Sequence, residues 1–202
     1  MPIFFQQQIN EFTRLGVWKI EETEEFFQSN VPQHRDVTHP HKRLQHLAGR
    51  YLLQYLFPGF PYEMVQIADT KRPFLPNEEY HFSISHCGDY AAAIVSSRQR
   101  VGVDVELPTE KVAAIKEKFL SPAELARLHD PNDLYWLTVC WSGKEAVFKW
   151  YGEGKVDFKQ HIQFRQLNEA DNTIDCFFEK NTTTLQINFH QIDKLVLSWV
   201  VN

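Results

Sequence analysis

Apolar residues recur at helical spacing from about His41 to Phe57, and the pattern ends at Pro58-Gly59. The stripe that would face a core consists of Leu44, Leu47, Ala48, Tyr51, Leu52, Tyr55 and Leu56. This spacing predicts an amphipathic helix with a defined end. Strand-like stretches follow at about 64–68, 81–85, 90–96 and 101–106, and a turn at 87–89 joins the second to the third.

The second half of the sequence carries a similar succession of patterns. A helical segment near 111–120 precedes Ser121-Pro122-Ala123-Glu124, a sequence typical of a capping box with proline at the first helical position. A long helix is predicted from about Asp133 to Tyr151, and Gly152 is typical of the glycine that ends a helix at its C-cap. Alternating segments predict an antiparallel sheet, at 162–167, 173–178, 185–189 and 195–201.

Each half is therefore interpreted as a helix followed by strands, which predicts an α+β fold made of two similar halves. The boundary is expected near Arg98–Gly102, where Arg98-Gln99-Arg100 forms a polar turn. We expect an N-terminal half at 1–100 and a C-terminal half at 101–202. With 202 residues, of which 43% are hydrophobic, the chain has enough apolar material for one large or two small domains.

Charge and composition restrict the class of protein. The net charge of −5 argues against a general nucleic-acid binder, because such domains are usually strongly basic. No apolar run approaches the ~20 residues needed to cross a bilayer, and the segment 1–6 lacks the basic and apolar regions of a signal peptide. Cys87, Cys140 and Cys176 are odd in number without Cys-x-x-Cys spacing, which favours reduced thiols. We therefore expect a cytoplasmic protein without membrane contact.

Two apolar elements contain charged residues at positions where charge is costly. On the strand at 101–106, alternation sends three valines to one face and Gly102, Asp104 and Glu106 to the other. The two carboxylates are then about 6 to 7 Å apart along the strand. The helix around 136–150 is apolar almost all round, but Lys144, Glu145 and Lys149 interrupt it. Buried charges of both signs need partners.

A magnesium ion bound to a phosphate would compensate both kinds of charge. Mg²⁺ takes one or two protein carboxylates, some waters and phosphate oxygens, so Asp104, Glu106 and Glu145 form a plausible metal shell. Lysines beside it suit a pyrophosphate. The alternative is purely structural: Asp-x-Glu at a strand end is common, and Glu145 with Lys149 is an ordinary i,i+4 helix pair worth about 0.2 to 0.5 kcal/mol.

These residues resemble a known family. Val-Gly-Val-Asp-Val-Glu at 101–106 and Trp-Ser-Gly-Lys-Glu-Ala-Val-Phe-Lys at 141–149 look like the paired signatures of the 4′-phosphopantetheinyl transferases, in particular the pseudo-dimeric type that activates nonribosomal peptide synthetases. The segments 82–88 and 118–124 strengthen the match. The resemblance extends from about Leu44 to Gly154. It implies two α/β halves related by pseudo-twofold symmetry, one site at their interface, and a monomer.

The resemblance also implies residues that bind coenzyme A. Arg50 and either Lys71 or Arg72 match the family's basic phosphate ligands, and Ser85-His86 matches its Ser-His segment, in which the histidine contacts a phosphate. Here the usual Gly-Lys-Pro is replaced by Thr70-Lys71-Arg72-Pro73, so two candidates remain open. From composition alone, the basic stretch would be a solvated helix face; it consists of His34, Arg35, His39, His41, Lys42, Arg43, His46 and Arg50.

The implied activity is Mg²⁺-dependent transfer of 4′-phosphopantetheine from coenzyme A to a serine of an acyl or peptidyl carrier protein, with release of 3′,5′-ADP. Asp104, Glu106 and Glu145 would hold the metal, and Lys144 and Lys149 would stabilise charge on the pyrophosphate. Glu145 or a nearby lysine would take the serine proton. A non-catalytic coenzyme A or carrier-protein binding module is the alternative, and a magnesium-dependent phosphohydrolase is a third.

Overall fold

The computed structural model describes residues 3–31 and 37–202. The chain divides into two compact units, Met1–Val101 and Gly102–Asn202. Helices and antiparallel sheets together confirm the predicted α+β class, whereas the pseudo-twofold relation stays a prediction. None of the helices in the described ranges is both long and apolar enough to cross a membrane.

The first unit is a four-stranded sheet covered by one long helix. Its elements are β1 (Ile3–Asn10), β2 (Thr13–Lys19), α1 (Glu24–Gln28), α2 (Pro40–Leu56), β3 (Gln66–Ile67), β4 (Pro73–Phe74), β5 (His81–Cys87) and β6 (Tyr90–Ser96). The sheet order is β1-β2-β6-β5, and β3 pairs only with β4. Helix α2 packs on β6, β2 and β5 through the predicted stripe, so Leu47, Leu52 and Leu56 are fully buried.

The sequence patterns missed how this unit begins. The hairpin of β1 and β2 precedes the helix, so the first unit is not simply a helix followed by strands. Strand β1 contains three consecutive glutamines and lies at the sheet edge, where side chains need not alternate between core and solvent. The turn at Glu11-Phe12 also lacks the Asn-Gly or Asp-Gly signal of a short hairpin. The predicted strand at 64–68 is reduced to β3, preceded by a 3₁₀ turn at Tyr62–Met64.

The second unit is a five-stranded sheet with a long, buried helix. Its elements are β7 (Val101–Glu106), α3 (Glu110–Ala114), α4 (Lys116–Phe119), α5 (Pro122–Leu125), α6 (Leu134–Tyr151), β8 (Ile162–Asn168), β9 (Thr173–Phe178), β10 (Thr183–Ile192) and β11 (Leu195–Val201). The sheet order is β7-β11-β10-β9-β8. The helix predicted at 111–120 is broken into α3 and α4 at Ile115, whose backbone is not helical.

Local sequence signals set both ends of helix α6. The Asp133 carboxylate accepts hydrogen bonds from the backbone of Tyr135 and Trp136, which caps the N-terminus. Gly152 adopts the left-handed conformation that ends the helix, as predicted. The capping box of Ser121 and Glu124 is also confirmed, although the helix it begins is only four residues long.

Gly102 allows helix α6 to lie directly on strand β7. A Cβ atom at this position would be 2.0 Å from the backbone oxygen of Ala146 and 2.6 Å from the backbone nitrogen of Trp150. Backbone atoms cannot move aside as a flexible side chain can, so only glycine fits here. Asp104 and Glu106 lie on the same face of β7 as Gly102 and are therefore held next to the helix.

This contact predicts that Gly102→Ala lowers the free energy of unfolding by about 3 kcal/mol, since the added methyl group overlaps helix backbone. Gly143→Ala is the matched control, because its Cβ would meet side chains at ordinary distances of 3.4 to 3.7 Å. Alanine in a helix interior should cost nothing there or stabilise by up to about 1 kcal/mol. Urea unfolding measures both, and equal stability of the two variants would contradict the packing.

Candidate active site

Four charged side chains from strand β7 and helix α6 lie in one neighbourhood. They are Asp104 and Glu106 on the strand and Glu145 and Lys149 on the helix. Asp104 is 3% exposed, and Lys149 Nζ donates to its Oδ1 at 2.7 Å. Lys149 itself remains partly exposed. The structure thus brings together four of the predicted site residues, with three carboxylates against one lysine.

Glu145 shows the electrostatic consequence of this crowding. Burial raises the pKa of its carboxyl group from 4.5 to about 7, and the negative charges of Asp104 and Glu106 add to the shift, whereas Lys149 opposes it. A carboxylic acid that changes charge near neutral pH is suited to accept a proton or to respond to a cation. The neighbouring carboxylates thus disfavour ionisation of Glu145, an effect that a bound cation would reverse.

Trp141 positions Glu106, a role that sequence reasoning missed. Its indole Nε1 donates to Glu106 Oε1 at 3.3 Å. The ring packs edge-on against Phe119 at 5.1 Å and tilted against Phe158 at 5.7 Å. Trp141 was interpreted only as part of the apolar helix surface, although a tryptophan that is not fully buried commonly presents its N–H to a polar partner.

The donor chemistry of these side chains fits a magnesium ion. Oxygen ligands from carboxylates suit Mg²⁺, which needs only one or two of them from the protein. Within 3–31 and 37–202, however, no three acidic, histidine or cysteine side chains converge as a ready-made metal centre. The Asp104 carboxylate is instead ion-paired with Lys149. The shell of Asp104, Glu106 and Glu145 therefore stays a prediction, and the electrostatic need for a cation supports it.

Lys144 does not belong to this group of side chains. It is fully buried, and its ammonium group donates to Glu124 Oε1 and to the backbone oxygens of Phe158 and Ile162, each at 2.8 Å. Lys144 and Lys149 are five positions apart, which is about 140° around the helix axis, and their different partners show that they lie on different helix faces. The helix face that carries Lys144, however, is directed into the protein interior. All three of its donor hydrogens are used there. The catalytic role of Lys144 stays a prediction, and none of its three partners belongs to the group of Asp104, Glu106 and Glu145.

The first unit contains the predicted coenzyme A ligands. Arg50 on α2 is only 5% exposed; its Nη1 is 3.0 Å from His46 Nδ1, and its carbonyl accepts a hydrogen bond from the Tyr62 hydroxyl. Part of the basic stretch, His34 and Arg35, lies outside the described residues.

The Ser-His segment lies on β5. Ser85 is buried and His86 is exposed, and strand alternation sends them to opposite faces of the sheet. His86 shares its face with Ile84, which packs against Gly49 of helix α2. His86 is therefore on the same side of the sheet as the helix that carries Arg50.

The backbone distinguishes Lys71 from Arg72. Lys71 is exposed and has a φ of 66°, a left-handed conformation that favours glycine, in a turn where its N–H donates to the Ala68 carbonyl. Arg72 is half-buried and precedes β4 directly. It lies near His81, whose pKa is lowered chiefly by burial; Glu78 opposes this shift, and Arg100 and Arg72 add to it. Lys71 thus takes the conformation of a turn glycine, whereas Arg72 is half-buried directly before a strand.

The comparisons with known proteins agree with this chemistry. A sequence model of the 4′-phosphopantetheinyl transferase superfamily matches residues 100–200, which include β7 and α6. The chain belongs to this superfamily.

Three relatives illustrate the similarity. Enterobactin synthase component D of Escherichia coli O157:H7 is 37% identical over 113 residues, 54% of this chain and 54% of its own length. A putative 4′-phosphopantetheinyl transferase of Haemophilus influenzae is 31% identical over 125 residues, 58% of this chain and 53% of its own length. The 4′-phosphopantetheinyl transferase AcpT of Escherichia coli K12 is 30% identical over 116 residues, 55% of this chain and 59% of its own length. The chain thus spans about half the length of the curated relatives it matches.

The raised pKa of Glu145 predicts how stability depends on pH. The folded protein holds this proton up to about pH 7, whereas the unfolded chain releases it near pH 4.5. The free energy of unfolding therefore decreases as the pH rises from about 4.5 to about 7. In a metal chelator, Glu145→Gln should therefore stabilise the protein at pH 8 by about 3 kcal/mol and change little at pH 4, since one pKa unit corresponds to about 1.4 kcal/mol. Urea unfolding at both pH values checks this. The exposed Glu110→Gln serves as control, and a gain of equal size at both pH values would contradict the shift.

Proposed function

We propose that this protein transfers the 4′-phosphopantetheine arm of coenzyme A to a serine of an acyl or peptidyl carrier protein and releases 3′,5′-ADP. The observation that carries the proposal is the cluster of Asp104, Glu106 and Glu145 around Lys149, held on β7 and α6 within the segment that matches the superfamily. Its excess of negative charge suits a magnesium ion, and its lysine suits a phosphate.

The reaction makes one bond and breaks one bond. The serine oxygen attacks the phosphorus atom of the pantetheine phosphate, the bond from that phosphorus to the bridging oxygen of the pyrophosphate breaks, and 3′,5′-ADP leaves with the bond electrons. The serine proton must go to a base. A bound Mg²⁺ would neutralise charge on the pyrophosphate oxygens. Asp104, Glu106 and Glu145 are the side chains that would hold it.

Two residues of the cluster have further roles in this proposal. Glu145 or a nearby lysine would take the serine proton; the pKa near 7 of Glu145 is that of the metal-free site, and a bound Mg²⁺ would lower it. Lys149 lies against Asp104 and remains partly exposed, so its ammonium group can approach a bound phosphate and stabilise the charge that develops on it.

The first unit would contribute phosphate ligands through Arg50, Arg72 and His86. Arg72 is preferred to Lys71 because it is half-buried directly before β4, whereas Lys71 is exposed and occupies the turn position that favours glycine. We further propose that the protein acts in the cytoplasm as a monomer with coenzyme A and a carrier protein as its partners. The family match supports coenzyme A and a carrier protein as partners, and the free cysteines support a reducing compartment such as the cytoplasm.

The proposed activity predicts a mass gain of one phosphopantetheine group on an apo carrier protein incubated with this enzyme, coenzyme A and Mg²⁺. Asp104→Asn keeps the shape of the side chain but removes its charge, so the rate should fall by at least about a hundredfold. Mass spectrometry of the carrier protein measures both rates, with Asp130→Asn on an exposed loop as the control. A wild-type protein that binds coenzyme A but leaves the carrier unmodified would instead support a binding module.

The turn at 70–73 predicts opposite results for its two basic residues. Arg72→Ala should raise KM for coenzyme A about tenfold with little change in kcat, because a contact to a remote phosphate acts equally in ground and transition states. Lys71→Gly removes the same charge but relieves a left-handed backbone, so KM should be unchanged and stability equal or up to about 1 kcal/mol higher. Steady-state kinetics and urea unfolding test the pair, and an increase in KM confined to Lys71→Gly would reverse the assignment.

A further inference from the structure

Lys144 and Glu124 form an ion pair in the interior of the second unit, and the proposed reaction does not use it. Their side chains are 0% and 6% exposed, and the Nζ to Oε1 distance is 2.8 Å. Burial lowers the pKa of Lys144, and the negative charge of Glu124 opposes this shift. An interior ion pair is weak evidence of a stabilising role, since two well-packed apolar residues often do as well. Its presence needs another explanation.

The hydrogen bonds of this pair connect four segments of the chain. Lys144 on α6 donates to the carbonyls of Phe158 and Ile162 in addition to Glu124. Glu124 Oε1 also accepts from the backbone of Phe164, and its Oε2 accepts from the backbone of Ser121. The pair therefore fixes helix α6 to α5, to the loop at Phe158 and to the start of β8.

The loop at Phe158 leads directly to the candidate active site. The Phe158 ring lies 5.7 Å from the Trp141 ring and 5.8 Å from the Phe148 ring, measured between centroids. Trp141 in turn donates to Glu106. A chain of contacts thus runs from the Lys144 ammonium group through the Phe158 carbonyl and ring to the indole that holds Glu106.

Helix geometry provides a second connection. Lys144 and Glu145 are consecutive and so are about 100° apart around the helix axis. Three hydrogen bonds at Lys144 resist rotation of α6, and any rotation would move Glu145 and Lys149 relative to Asp104. The interior pair therefore constrains both the strand carboxylate Glu106 and the helix carboxylate Glu145.

We propose that Lys144 and Glu124 are positioning residues for the metal-binding carboxylates: they act through Phe158 and Trp141 on Glu106 and through the helix on Glu145. Neither side chain touches the substrate. This inference rests on the proposed function for the metal site, and it assigns to Lys144 an effect on cation affinity in place of a contact with the reacting phosphate.

Mn²⁺ is a suitable probe, because it also prefers carboxylate and water ligands and its free ion can be counted by electron paramagnetic resonance. Lys144→Met keeps an unbranched apolar side chain but removes all three donors. We expect its Mn²⁺ dissociation constant to rise about tenfold, as is typical when support for metal ligands is lost. The Mg²⁺ concentration for half-maximal rate should rise by a similar factor.

One control and one further variant separate a positioning role from a loss of stability. Leu185→Ala creates a cavity in the same core on β10, far from the contact chain in sequence, and should lower the melting temperature with an unchanged Mn²⁺ dissociation constant. Trp141→Phe removes the donor to Glu106 and should weaken Mn²⁺ binding. Its effect should not add fully to that of Lys144→Met, since both act on the same carboxylate.

The outcomes are distinct. If Lys144→Met is folded and binds Mn²⁺ as the wild type does, or no more weakly than Leu185→Ala, the inference is wrong. If Lys144→Met does not fold, Glu124→Gln, which keeps hydrogen-bonding groups but removes the charge, must raise the dissociation constant at least about threefold, and an unchanged value overturns the inference. If the wild type binds no Mn²⁺ and matches Asp104→Asn, the metal site itself is wrong, and so is the proposed function.

Discussion

The direct packing of helix α6 on strand β7 is the contact on which the candidate site depends. At Gly102 a side-chain carbon would lie 2.0 Å from a helix carbonyl oxygen, so the two backbones are as close as they can be. Because successive strand residues alternate, this approach brings Asp104 and Glu106 beside the helix residues Glu145 and Lys149. A wider separation would leave room for water between the charges and would weaken their mutual effect.

The second unit contains two groups of charges that are balanced differently. Around Lys144 each donor hydrogen has an acceptor, and Glu124 accepts from Lys144 and from the backbone of Phe164 and Ser121, so this interior charge is compensated locally. Around Glu145 three carboxylates face one lysine, and the pKa of Glu145 rises to about 7. An interior charge that is fully paired supports structure, whereas a group of carboxylates that raises the pKa of one of its members in this way is typical of a site that binds something else.

The turn before β4 separates two adjacent basic residues by their backbone conformation. Lys71 and Arg72 carry the same charge and cannot be ranked from the sequence. Lys71 has the left-handed backbone that favours glycine, whereas Arg72 directly precedes the strand. The preference for Arg72 in the proposed function follows from this difference in conformation, since charge alone does not separate the two.

The sequence by itself determined the elements whose signals are local. The capping box at Ser121, the Gly152 end of α6 and the alternation of β7 all depend on residues within a few positions of one another. The paired motifs at 101–106 and 141–149 likewise identified the family. What only the tertiary structure decided is which charges meet. Lys144 and Lys149 are the same residue type on two faces of one helix. Their partners, Glu124 and Asp104, lie 20 and 45 positions away in the chain. Pairing over such distances depends on how α6 packs against its neighbours, and no local pattern encodes it. For the same reason the edge strand β1 was missed, because its place depends on hydrogen bonds to β2 rather than on its own alternation.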